Sequence, residues 1–185
     1  MRSTSYTTFT FLAALLLLLL TGLVQQPEVT PEPSPSISTL ASSEQNLARV
    51  VRIIDGDTAV VQFGQVEETI RILGLDTPET VAPGKPVQCF GPEASQQAAA
   101  LLQNQIITIT RDQTQADRDR YGRLVRSLIL EDGTDFALAM IAGGYGTEYT
   151  YSKRYAKQAQ YREAENSAAE QGLGLWSSNT CNGER

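Results

Sequence analysis

At 185 residues the chain has room for one domain plus appendages. A net charge of −6 and a pI of about 4.7 argue against a generic nucleic-acid coat protein, so any phosphate handling must rely on a local patch. No histidine and only two cysteines exclude imidazole catalysis and a zinc centre.

The chain opens with an uncharged stretch over residues 3–27, inside which residues 11–20 are unbroken apolar, with Arg2 ahead of them. This is the layout of an export signal over residues 1–24. The run falls short of the roughly 18 to 20 residues that comfortably span a bilayer, so a cleaved signal is favoured over a retained anchor. Residues 25–47 hold four prolines among Ser, Thr, Glu and Gln and have little to bury. They are expected to form a disordered tether. The expected location is therefore secreted, periplasmic or membrane-anchored facing outward, with any membrane association confined to the apolar segment. A monomer is expected.

Residues 48–177 carry the folded domain. Residues 50–54 and 58–63 are β-branched and apolar, joined across Asp55-Gly56, a strong hairpin signal. Gly64-Gln65 turns the chain into a third strand over 67–75, and a loop with Pro78, Pro83, Gly84 and Pro86 follows. Gly91-Pro92-Glu93 opens a helix whose apolar face is Ala94, Ala98, Leu101 and Leu102. Residues 106–111 and 123–130 read as strands four and five. A short helix around Phe136 and Met140 stops at Gly143-Gly144, and a longer one spans 153–170. Three strands, a helix, two strands and then helices is the order of an α+β fold: a five-stranded OB-fold barrel with three helices. Residues 178–185 form a tail.

The chemistry-bearing residues cluster at strand ends. Asp55-Gly56-Asp57-Thr58 includes ordinary turn chemistry, but Asp57 is a poor strand former where a strand should begin. Asp76-Thr77-Pro78-Glu79 resembles a helix capping box with little helix to cap. Arg71 interrupts an apolar strand five residues before Asp76, and Asp119-Arg120-Tyr121-Gly122-Arg123 lies between two strands. Each has a structural alternative: a tight turn, a cap, a surface-facing arginine, a charged turn. Together they supply oxygen ligands for a hard cation, a spare carboxylate and two fixed positive charges, the inventory for hydrolysing a phosphodiester without imidazole. Residues 111–126 carry net +2 and residues 143–162 net +3, a weak local reversal of sign.

These segments resemble the staphylococcal nuclease-like (thermonuclease) family. The matching stretches are IDGDT (54–58), RILGLDTPET (71–80), FGPEAS (90–95), DRYGR (119–123), Tyr149 and Tyr151 in EYTY, and GLW (174–176), covering roughly 48–177. The resemblance implies a Ca²⁺ cofactor held by Asp57, Asp76 and the backbone carbonyl of Thr77, with Asp55 in the outer shell. It implies Glu79 as general base, and Arg71 and Arg123 on the phosphate. Lys85, Arg120, Tyr121, Tyr149 and Tyr151 would bind substrate, expected to be DNA and RNA, preferentially single-stranded. The implied activity is a sugar-nonspecific endonuclease leaving 3′-phosphate ends. A catalytically silent module of the same fold, binding nucleic acid or protein, is the alternative, although the full residue set is present. Arg120 stands where family members often have lysine, and the net acidity departs from the basic prototype. Cys89 and Cys181, an even count in an exported chain, suggest a disulfide, with free thiols as the alternative.

Overall fold

The structure is a computed structural model and describes residues 46–81, 84 and 86–184. The expected export segment (1–24), nearly all of the expected tether and Lys85 lie outside the described residues.

In chain order the elements are β1 (Leu47–Asp55), β2 (Thr58–Phe63), β3 (Val66–Ile72), β4 (Leu75–Asp76), α1 (Gly91–Leu102), β5 (Ile106–Thr110) and β6 (Leu124–Ile129). Then come α2 (Phe136–Ala142), β7 (Thr147–Glu148), α3 (Gln158–Glu170) and a 3₁₀ turn (Gly174–Trp176). Five strands close into a barrel in the order β1-β2-β3-β6-β5. All pairs are antiparallel except β3 with β6. This is the five-stranded OB barrel with three helices that the element order predicts. The β1–β2 turn is Gly56-Asp57, with Asp55 opposite Thr58. Asp57 therefore sits in the turn itself and not in a strand, so its poor strand propensity is no sign of function and only its contacts carry that reading.

Three boundaries differ from expectation. The tether's last residues already belong to the barrel, since Leu47 pairs with Thr108 and Asn46 O accepts from Ile109 N at 2.7 Å. The third strand breaks after Ile72, and Leu75–Asp76 leaves the barrel to pair with β7. Gly74 makes the break: its φ of +80° suits glycine, and a Cβ there would lie 2.6 Å from the Tyr155 hydroxyl. The last helix begins at Gln158, not at 153. The intervening backbone is held elsewhere: the carbonyls of Lys153 and Arg154 accept from Gln115 Nε2, and Ala156 N donates to Asp112 Oδ2.

The barrel and helices share one core, in which Ile70, Leu75, Leu102, Ile107, Leu128, Phe136, Met140, Ile141 and Tyr161 are fully buried. On α1 the inward stripe is Ala94, Ala98 and Leu102, with Leu101 partly buried, as the 3.6-residue period requires. Tyr161 of α3 lies in the core beside Tyr155, and its hydroxyl donates to Asp135, which also accepts from Leu138 N at the start of α2. Cys89 and Cys181 form a disulfide across 92 residues of chain. In the chain-entropy model a loop of that length is worth on the order of 4 to 5 kcal/mol.

Candidate active site

The β1–β2 turn, the end of β3, β4 with the loop after it, and the segment before β6 all reach one side of the barrel. They open a cleft of about 830 Å³. Asp55, Asp57, Arg71, Asp76, Thr77 and Glu79 line its floor, and Arg120, Tyr121, Arg123, Tyr149 and Tyr151 line its walls. Of the described residues assigned a role from the sequence, all but the two cysteines therefore face this cleft.

Register explains the convergence. Arg71 sits directly opposite Thr58 on β2, so its side chain rises beside the Gly56-Asp57 turn. Its guanidinium bridges two carboxylates, with Nη1 3.1 Å from Asp57 Oδ2 and Nη2 3.0 Å from Asp76 Oδ1. Nη1 also donates to the Leu75 carbonyl at 2.6 Å, which fixes the fork at the start of β4. The surface-facing alternative is thus removed: the Arg71 side chain is 16% exposed.

Asp57 is buried and engaged at both carboxylate oxygens. Its Oδ2 accepts from Thr77 N at 3.1 Å and its Oδ1 from the Thr58 hydroxyl at 2.9 Å. Burial pushes its carboxyl up to about 7. Arg71 opposes that rise, the Asp55 charge adds to it, and the Thr77 and Thr58 hydrogen bonds oppose it. Thr77 leans over the turn so closely that a Cβ on Gly56 would lie 2.7 Å from its side chain. Its buried hydroxyl finds no hydrogen-bond partner among the described residues.

Arg123 approaches from the opposite wall. Its Nε donates to Asp119 Oδ2 at 2.7 Å, its backbone N to Asp119 Oδ1, and its Nη1 to the Thr58 hydroxyl at 3.3 Å. Burial acts to raise the Asp119 carboxyl, but the Arg123 side chain and the backbone N–H groups of Arg123 and Tyr121 outweigh it and hold it below the usual range. The aromatic wall is exposed: Tyr121 is 67% accessible and Tyr151 57%. Arg120 and Arg123 lie 4.7 and 5.3 Å from the Tyr121 ring centroid, and Arg71 lies 5.9 Å from that of Tyr149. Cationic planes and π-faces therefore alternate around the opening.

Glu79 lies on the loop after β4. Its Oε1 accepts from Thr80 N at 2.9 Å and Val81 N at 2.7 Å, so its own loop orients the carboxylate. Its backbone is clamped by Gln88, whose Oε1 accepts from Glu79 N at 2.6 Å and whose N donates to Glu79 O at 2.9 Å.

Among the described residues no three His, Cys, Asp or Glu side chains are grouped as a metal site. The expected ligand set is smaller, two carboxylates and a carbonyl, and its chemistry is entirely oxygen. A buried carboxylate with a raised pKa and an unpartnered buried hydroxyl beside it fit a hard cation, whose charge would offset the cost of burying Asp57.

Thr58, Asp119 and Gln88 shape this cleft without having been assigned roles in the sequence. Thr58 and Asp119 stand inside the quoted motifs, so adjacency was the available signal. Gln88 had none, because its partner Glu79 is nine residues away across an irregular loop.

Comparison with known proteins agrees with this architecture. A family model of staphylococcal nuclease homologues matches residues 69–178. The chain is 32% identical over 138 residues to a thermonuclease of Staphylococcus hyicus, covering 75% of this chain and 80% of that protein. It is 31% identical over 144 residues to a thermonuclease of Staphylococcus intermedius, covering 78% and 83%. It is 32% identical over 127 residues to the endonuclease YncB of Bacillus subtilis (strain 168), covering 68% of this chain and 59% of that protein. With a closed OB barrel, one cleft at its side, relatives above 30% identity and a family match over most of the folded region, the chain belongs to the staphylococcal nuclease homologue family.

Proposed function

We propose that the chain is a calcium-dependent, sugar-nonspecific endonuclease that hydrolyses phosphodiester bonds of DNA and RNA and leaves 3′-phosphate ends. The observation that carries this reading is the Arg71 guanidinium spanning Asp57 and Asp76 in the same cleft as Arg123 and Glu79.

The chain's own residues divide the work. Glu79 accepts a proton from the attacking water. Arg71 and Arg123 contact the phosphate and neutralise charge growing on its non-bridging oxygens. Asp57, Asp76 and the Thr77 carbonyl would hold the cation, and Asp55 would order water around it. Bound there, Ca²⁺ would supply further neutralisation of the phosphate and hold the reactants in register. Water attacks phosphorus, the bond to the 5′ oxygen breaks, that oxygen takes a proton from solvent to become a hydroxyl, and the phosphate remains on the 3′ side.

Tyr121, Tyr149 and Tyr151 offer exposed rings on which unpaired bases stack, which favours single strands over duplex. Arg120 and Lys85 would contact flanking phosphates. Export is supported by the apolar leader in the sequence and by the disulfide, a bond that persists in oxidising compartments.

The test is cleavage of single-stranded DNA by the purified protein, with calcium and with a chelator. Cutting with calcium alone is expected. Cutting that survives chelation would remove the metal from the reading, and no cutting under either condition would favour the binding module. Glu79→Gln should lower kcat by about 10² or more with little change in binding.

A further inference from the structure

The Glu79 loop has two attachments that the reaction does not call for. The first is the two-point bond to Gln88 through Glu79 N and Glu79 O. The second is the residue after Gln88: Cys89 is exposed and bonded to Cys181, which is buried in the C-terminal tail. That tail has its own anchors. Leu175 N donates to Gly144 O, Gly183 N to Leu175 O and the Thr180 hydroxyl to Gly174 O. The start of α1 completes the seat, because Gly91 N donates to Gln88 O, and a Cβ on Gly91 would lie 2.7 Å from Thr80 and 3.1 Å from Glu79 O.

We propose that Gln88, anchored by the Cys89–Cys181 disulfide, is a positioning residue for Glu79, and that reducing this bond slows turnover by releasing the loop that carries the base. The proposal rests on the reading of Glu79 as general base. Gln88 contributes no proton and touches no reacting atom. It restricts the Glu79 backbone, while the disulfide ties the neighbouring residue to a tail secured through Leu175 on Gly144. Of the described residues of this loop, Val81, Gly84, Pro86 and Val87 are exposed, and backbone with little buried surface opens locally at low cost, so a covalent tie next to it has a large effect on its order. Cys89 is the exposed end of the bond and Cys181 the buried one. Attack by an external dithiol forms a mixed disulfide, and its second thiol closes the reductant's own disulfide. Two electrons and two protons are thereby passed to Cys89 and Cys181, which become thiols.

The test uses the purified full chain, oxidised and after treatment with dithiothreitol, with circular dichroism confirming that it stays folded. Hydrogen exchange is followed in peptides covering 79–91 without added metal, and kcat and KM are measured on single-stranded DNA with calcium. On reduction, exchange in 79–91 should rise at least tenfold at labelling times over which the barrel strands stay protected, and kcat should fall about tenfold with KM within about twofold. Gln88→Ala with the disulfide intact should reproduce both effects, which keeps the test open if Cys89→Ser/Cys181→Ser does not fold. In a Glu79→Gln background neither reduction nor Gln88→Ala should lower kcat further.

Unchanged exchange in both the reduced protein and Gln88→Ala would overturn the clamp. Unchanged kcat in both, in a protein that Glu79→Gln disables, would overturn the positioning role. Near-normal turnover in Glu79→Gln alone would instead overturn the reading of Glu79 as base, leaving exchange to decide whether the clamp exists.

Discussion

The Thr58 hydroxyl stands between Asp57 and Arg123: it donates to Asp57 Oδ1 at 2.9 Å and accepts from Arg123 Nη1 at 3.3 Å. One small side chain therefore joins the wall holding Arg123 to the floor where Arg71 bridges Asp57 and Asp76. A polar chain runs from Asp119 through Arg123, Thr58, Asp57 and Arg71 to Asp76. Moving any member disturbs the next.

Thr58→Val keeps the shape and deletes the link. Asp57 loses a donor and Arg123 an acceptor in a largely buried setting, so a stability loss of about 1 to 3 kcal/mol is expected. With Arg123 less well aimed, kcat should fall by about tenfold while KM changes little. Urea unfolding and steady-state kinetics on single-stranded DNA check the two parts separately, and a wild-type kcat would show that Thr58 does not orient Arg123.

Asp57→Asn tests the cation independently of activity. A ligand that binds only the folded state at about 100 times its Kd stabilises it by about 2.7 kcal/mol, so calcium should raise the wild-type Tm by several degrees. The variant should show little or no such rise. An equal calcium-dependent rise in both proteins would place the ion elsewhere.

Tyr121→Ala removes an exposed ring that carries no core packing, so stability should be unaffected. Base stacking on an aromatic side chain is worth about 1 to 3 kcal/mol, which predicts KM raised by roughly 5- to 150-fold with kcat nearly constant. The effect should be larger on single-stranded than on duplex substrate. Equal losses on both would argue against stacking.

Acid sensitivity follows from Asp112. Burial acts to raise its carboxyl, but bonds from Ala156 N and from the Thr114 hydroxyl and N outweigh it and hold it below the ordinary 3.8. A carboxylate depressed in the folded state stabilises it fully above the unfolded value and loses that contribution as pH falls through the folded value. The urea midpoint of the wild type should therefore exceed that of Asp112→Asn at pH 7, and the gap should close below about pH 4. A gap independent of pH would mean that the charge on Asp112 does not matter.

The barrel was legible because its causes are local. Alternation and β-branching mark the strands, Asp-Gly marks the first turn, and Gly91-Pro92-Glu93 opens α1 where sequence rules put it. The small β4–β7 sheet was not legible, because two-residue strands carry no period and their pairing depends on Gly74 turning the chain against Tyr155. The late start of α3 was hidden for the same kind of reason. Lys153 and Arg154 suit a helix by propensity, yet Gln115 takes their carbonyls from nearly forty residues away.

From composition and motif alone came the class of chemistry: carboxylates without imidazole, two arginines among them, an apolar run near the N-terminus and a pair of cysteines, all properties of residue identity that need no coordinates. Only the fold decided that Arg71 lies between Asp57 and Asp76, that Thr58 joins them to Arg123, and that Gln88 seats the Glu79 loop beside a disulfide. Hydrogen bonds and ion pairs act over about 3 Å, and partners up to 92 residues apart come within that reach only when the barrel closes.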